Sequence, residues 1–166
     1  MKKANGTSFI KILLLSVISG VLMFSGFLSS YLFICSFFAF ILLLYIIENE
    51  TSYKKIFLCG LITQFVTISG GFYWLVYTIH IFGNLNTFIS ILLFLLYVTF
   101  FGLKFPLFMI LSKFTKDRTN LNSLIIYPVI YTLIEFIFPD LFPWFIANTQ
   151  VKNYYLIQIA DITGVY

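Results

Sequence analysis

Charge is what this chain has least of. Only 10% of its 166 residues are Asp, Glu, Lys or Arg, where a soluble domain carries about 25%. So few charges cannot cover the apolar surface with polar groups, so most of the chain is solvated by lipid. Histidine is nearly absent, with a single residue, and no metal-ligand spacing exists anywhere in the sequence. Cysteine is scarce too. Cys35 and Cys59 both lie in apolar segments, where the residue behaves as a small hydrophobe. Neither has a nearby histidine or basic setting that would lower a thiol pKa. Neither therefore reads as a catalytic thiol or half of a disulfide. The net charge of +4 is small and most lysines flank apolar runs, so they read as topology signals and not as a nucleic-acid patch. No metal, cofactor or nucleic acid is expected.

What is present is apolar. The chain is 61% hydrophobic and 21% aromatic, with 22 Phe, and its mean hydropathy is +1.02. The expected class is an all-α integral membrane protein. Met1-Lys-Lys and Lys11 ahead of an apolar run have the outline of a signal peptide. A small-residue cleavage site is missing and further apolar sequence follows directly, so an uncleaved first span is expected.

Apolar residues run almost unbroken from Phe9 to Ile47. As one helix this would be ~58 Å long, roughly twice a bilayer core, so it must fold back, and Ser25-Gly26 with Ser29-Ser30 is the natural turn. That gives spans near 9–25 and 30–47. The polar loop 48–55 precedes a third span at 56–79, and His80 to Asn86 makes the next turn. A fourth span covers 87–111 and a fifth 121–138. With five spans, Lys2, Lys3 and Lys11, then Lys54 and Lys55, then Lys113, Lys116 and Arg118 all fall on one side. By the positive-inside rule that side, and the N-terminus, is cytoplasmic. Residues 1–138 are thus expected to be transmembrane, and 139–166 to form an outer-face segment.

Gly70-Gly71 reads as a place where helices approach closely. Lys104, about two turns from the inner end of the fourth span, reads as a lysine that snorkels to the cytoplasmic headgroups. Pro106 and Pro128 are expected to kink their helices. His80 reads as a wetted interfacial residue. Tyr73 and Trp74 suit either an aromatic belt or the wall of a substrate crevice. Glu135 differs, because a carboxylate inside an apolar helix costs several kcal/mol unless it meets a polar cavity or partner. The following Pro139-Asp-Leu-Phe-Pro143 ends the helix and starts an irregular segment carrying Trp144. Such backbone is tolerated at membrane depth only where protein or water covers it.

The block Gly71-Phe-Tyr-Trp-Leu-Val-Tyr-Thr-Ile-His-Ile-Phe-Gly83 resembles the third span of apolipoprotein N-acyltransferases. So does the series Glu135, Phe142-Pro143-Trp144, Gln150, Gln158-Ile-Ala-Asp161 and Gly164-Val-Tyr166. The resemblance extends over nearly the whole chain. It implies a multi-pass protein of the bacterial cytoplasmic (inner) membrane that takes an acyl chain from phospholipid and passes it to the N-terminal diacylglyceryl-cysteine of a lipoprotein. It also implies that the family's Glu-Lys-Cys catalytic set belongs to a nitrilase-like domain following the membrane part. The expectation is therefore a truncated membrane region without catalytic residues, inactive alone, completed by a separately encoded nitrilase-like chain or cut short by a frameshift. Trp144, Glu135, Pro143, Tyr73 and Trp74 are the candidate substrate-binding residues. Phe136, Ile137 and Phe138 stand where the family usually carries an Arg after the acid, which leaves the role of Glu135 open. The alternative is a non-catalytic membrane protein that binds lipid or a partner and derives from the same family.

Overall fold

The computed structural model describes residues 8–29, 31–139, 141–142 and 144–164, with the backbone alone for 159–163. Helix α1 (Phe9–Leu28) is 20 residues long, or ~30 Å, the depth of a bilayer core. It continues through Ser25-Gly26 to Leu28 and is capped at Ser29, so of the expected turn residues Ser29 marks the helix end and Ser25-Gly26 remain helical. Helix α2 (Phe33–Asn49) returns antiparallel. Helices α3 (Tyr53–Phe72) and α4 (Trp74–Phe82) form the third rod, interrupted at Tyr73. Helices α5 (Thr87–Phe101) and α6 (Lys104–Arg118) form the fourth. Helix α7 (Ser123–Ile137) is the fifth. A 3-10 turn (Ile146–Gln150) and helix α8 (Tyr154–Thr163) complete the chain. Three of these stretches, 9–28, 53–72 and 87–118, are long and apolar enough to cross a membrane, and α2 and α7 are shorter apolar helices. The all-α membrane architecture and the five rods are as expected.

The break in the fourth rod follows from Pro106. Proline lacks the N–H that would bond the carbonyl four residues earlier, and its ring clashes there. That carbonyl belongs to Gly102, where the helix stops. Lys104 and Phe105 therefore open a new helix near mid-membrane. The side chain of Gln64 on α3 accepts a hydrogen bond from the Phe105 N–H (3.3 Å), satisfying one of the donors a helix start leaves orphaned. Pro128 lies inside α7 without ending it. Asn86 and Asn122 cap α5 and α7, accepting from the N–H of Ile89 and Leu124 (both 2.9 Å).

Small residues set the packing. A Cβ on Gly20 would lie 2.7 Å from the Thr63 carbonyl oxygen, and one on Gly60 would lie 2.6 Å from Cα of Pro106. At these points α1 meets α3 and α3 meets α6 backbone to backbone, as small residues permit in lipid. Buried hydroxyls bind across the seams. Thr63 donates to the Ser16 carbonyl (3.0 Å), Thr67 to that of Gly20 (3.3 Å) and Ser19 to that of Ala39 (2.9 Å). Ile12, Leu43, Ile46, Ile56, Phe108 and Met109 fill the core between them.

One end of the bundle gathers the charges. Glu48, at the end of α2, accepts from Lys116, Tyr127 and Ser123, the last at 3.1 Å. Tyr53 donates to Asp117 (2.8 Å), and Lys11 lies over the Tyr45 ring. Glu50 accepts from the N–H groups of Thr51 and Ser52 (2.9 and 3.0 Å) and pairs with Lys55 (3.3 Å). Burial works against its charge, but those two N–H groups and Lys55 outweigh it and hold the carboxyl below its ordinary value.

Candidate functional site

At the opposite end, the chain after α7 folds back over the bundle. Helix α7 has 15 residues, or ~22 Å, short of the ~30 Å core, so the returning segment lies against protein at membrane depth. Three attachments hold it. The Glu135 carboxylate, 5% exposed, accepts from the Ile146 N–H (3.0 Å) and the Tyr131 hydroxyl (3.2 Å). Thr149 shares a hydrogen bond with Ser36 on α2 (3.2 Å). Gln150 adds long contacts from Nε2 to Ser36 Oγ and the Phe33 carbonyl (both 3.4 Å).

The third attachment is Trp144. Its indole sits 4.1 Å from the Phe27 ring of α1 and 4.6 Å, edge to face, from the Phe72 ring of α3. Such pairs are worth about 0.5–1.5 kcal/mol each beyond area burial. Gly71 makes the seat possible, because a Cβ there would lie 3.0 Å from the indole. Gly70 performs the equivalent service for Phe24, whose ring would be 2.5 Å from an added Cβ. Phe142 stacks on Phe72 (5.7 Å) and approaches Trp74 (6.0 Å). Phe27, Leu28, Gly71, Phe72, Trp74, Phe142 and Trp144 line an aromatic groove of about 290 Å³.

Beneath this layer is a second, smaller space. A cavity of about 30 Å³ is walled by Gln64, Thr67, Tyr97, Lys104 and Tyr131, with Trp144, Phe142 and Ile146 over it. That volume admits a water molecule or two, not an acyl chain. Lys104 is 6% exposed and faces this cavity. It does not snorkel: the helix break places it at the start of α6, where its stem is surrounded by α3, α5 and α7.

Of the residues singled out in the sequence, the structure brings Trp144 and Trp74 together in one aromatic layer and sets Glu135 under the segment carrying Trp144. Tyr73 is 67% exposed and does not line that groove. Trp74 is 44% exposed, and its Nε1 donates to the Gly71 carbonyl (3.1 Å). Pro143 lies outside the described residues. His80 closes the α4–α5 turn through Nδ1 and the Leu85 carbonyl (2.5 Å), with Asn84 in the left-handed region (φ 48°). Sequence reasoning missed Phe27, Phe72, Phe142, Gln64 and Tyr131. Gln64 carried a signal, being the one amide in the third span and flanked by Thr63 and Thr67. Phe72 and Phe142 stand inside the stretches that carry the family resemblance, but nothing set them apart as contacts of Trp144, and Phe27 carried no signal among 22 phenylalanines. Among the described residues no cluster suited to holding a metal ion is present.

The model of the apolipoprotein N-acyltransferase N-terminal domain matches residues 19–166. Apolipoprotein N-acyltransferase 2 of Leptospira interrogans is 36% identical over 120 residues, 72% of this chain and 20% of that protein. Apolipoprotein N-acyltransferase of Bdellovibrio bacteriovorus is 30% identical over 125 residues, 73% of this chain and 23% of its own. That of Geobacter metallireducens is 30% identical over 157 residues, 92% of this chain and 30% of its own. The chain thus spans less than a third of the length of the curated relatives it matches. No solved structure matches it significantly.

Proposed function

Because the chain belongs to the apolipoprotein N-acyltransferase family, we propose that it is the membrane-embedded part of an enzyme that moves an acyl chain from phospholipid to the N-terminus of a lipoprotein. The reaction proceeds in two transfers. A thiolate attacks the ester carbonyl of a phospholipid, forming a thioester and releasing a lysophospholipid. The α-amine of the diacylglyceryl-cysteine then attacks the thioester, forming the amide and freeing the thiol. Dividing one hard transfer in this way is the gain of covalent catalysis. The thiolate and its base belong to a nitrilase-like domain that acts with this chain, either in a longer protein or as a separate one. The present residues bind and orient lipid in the cytoplasmic membrane of a bacterium, with the N-terminus cytoplasmic and Trp144 at the outer face.

The observation that carries this reading is the aromatic groove at the bundle end opposite the basic clusters. Trp144 and Trp74 form its wall. The Trp144 indole lies along an acyl chain with its N–H directed to polar groups at the membrane interface, while the Trp74 N–H is held by the Gly71 carbonyl and only its ring faces lipid. Glu135 fixes the segment behind the wall, and Tyr73, exposed next to Trp74, and Pro143, which precedes Trp144 in the sequence, complete the set proposed to contact lipid. The test is Trp144→Ala, co-expressed with a nitrilase-like domain from a relative. Lipoprotein N-acylation should fall at least tenfold with the amount of membrane-inserted chain unchanged. Equal rates for parent and variant would reduce Trp144 to an interfacial anchor.

A further inference from the structure

A second lipid-facing feature lies away from the aromatic groove, between α6 and α7. Leu107, Leu111 and Thr115 face Ile130, Leu133, Ile134 and Ile137 across an apolar groove of about 430 Å³, closed above by Phe138 and Pro139. The helices touch along this seam, but their side chains leave the channel open along its length. At ~1.5 Å per residue the α6 wall from Leu107 to Thr115 is about 12 Å long, the length of part of an acyl chain and less than one leaflet.

The polar end of the groove identifies its occupant. At 100° per residue, Arg118 lies within the sector of about 80° spanned by Leu107, Leu111 and Thr115 on α6. It continues the groove wall into the charged end of the bundle. Its guanidinium lies 5.0 Å from the centre of the Phe114 ring, one turn along. The other basic groups of this helix end are engaged, Lys113 with Asp117 (3.2 Å) and Lys116 with Glu48. Asp117 also accepts from Tyr53. Among the described residues no carboxylate pairs with Arg118, which is exposed. An apolar channel shorter than one leaflet thus ends at an available guanidinium, a fork suited to phosphate oxygens.

We propose that the α6–α7 groove binds an anionic glycerophospholipid of the leaflet on the basic side of the bundle, with one acyl chain between the helices and its phosphate on Arg118. This site is distinct from the aromatic groove, which opens at the other end, and stands whether or not the acyl-transfer reading holds. The purified full chain in detergent would be titrated with dioleoylphosphatidylglycerol and with dioleoylphosphatidylcholine, and bound lipid counted by native mass spectrometry. The parent should favour the anionic lipid about fivefold, the contribution of one basic side chain near an anionic lipid surface. Arg118→Gln, a change at an exposed position, should equalise the two lipids while retaining both. Leu111→Trp should fill the channel and lower the occupancy of both. Equal binding of the two lipids by the parent, or a preference surviving Arg118→Gln, would overturn the proposal. So would a groove occupied by a second copy of the chain, seen as a concentration-dependent dimer insensitive to either lipid.

Discussion

At the scale of single residues, Glu135 decides how the segment after α7 is held. Its buried carboxylate accepts from the Ile146 N–H and the Tyr131 hydroxyl. Removing an acceptor from buried donors costs about 1–3 kcal/mol. Glu135→Ala should therefore lower stability by about 2 kcal/mol and loosen the segment bearing Trp144. The chain has two tryptophans, so in a Trp74→Phe background the emission reports Trp144 alone. It should shift to the red in Glu135→Ala and lie between parent and alanine in Glu135→Gln, which keeps an acceptor oxygen. Unchanged emission in all three would detach Glu135 from the position of Trp144. The sequence marked both residues as unusual for a membrane span. It could not show their connection, because the hydrogen bond from Ile146 reaches back 11 positions through a non-helical turn with no periodicity to read.

At the scale of elements, the length of the apolar runs and the polar turns between them placed the five rods, and the breaks came from local chemistry. Pro106 made a disruption of the fourth rod foreseeable. Its consequence for Lys104 was not, because only the packed neighbours determine whether a lysine near a helix start reaches headgroups or a cavity. The interruption at Tyr73 has no proline behind it, and nothing in the structure explains it. The α2–α3 loop yields a pH prediction. Glu50 titrates below its ordinary value of 4.5 in the folded chain, so the unfolded chain binds its proton first as pH falls. Its stabilising contribution is complete above 4.5 and disappears as pH drops through the lower folded-state value. Thermal unfolding in detergent should show the parent losing more stability between pH 6 and pH 3 than Glu50→Gln does. Parallel pH profiles would remove the loop from the acid response.

At the scale of the whole molecule, the arrangement is a bundle with a charged end and an aromatic end. The charged end joins residues 48–55 to residues 113–127, which agrees with basic clusters sharing one side of the membrane. Single cysteines placed at Ser52 and Asn120, with Cys35 and Cys59 replaced, should resist a membrane-impermeant thiol reagent in intact cells. Cysteines at Asn84 and Asn148 should react. Labelling at Ser52 would invert or break the topology. The spans were legible from hydropathy and the family from a scattered series of polar and aromatic residues. The aromatic seat was not, since it joins Phe27, Phe72, Phe142 and Trp144 from three distant parts of the chain.

The proposed function has this chain present lipid to chemistry carried by another domain. The direct measurement is mass spectrometry of a synthetic diacylated lipopeptide after incubation with phospholipid and the purified chain, with and without a nitrilase-like domain from a relative. Residues 1–166 alone should add no acyl group, and an N-terminal amide-linked acyl group should form when both are present. Acylation by the chain alone that survives joint replacement of Cys35 and Cys59 by alanine would contradict it. So would a nitrilase-like domain that works equally well without this chain.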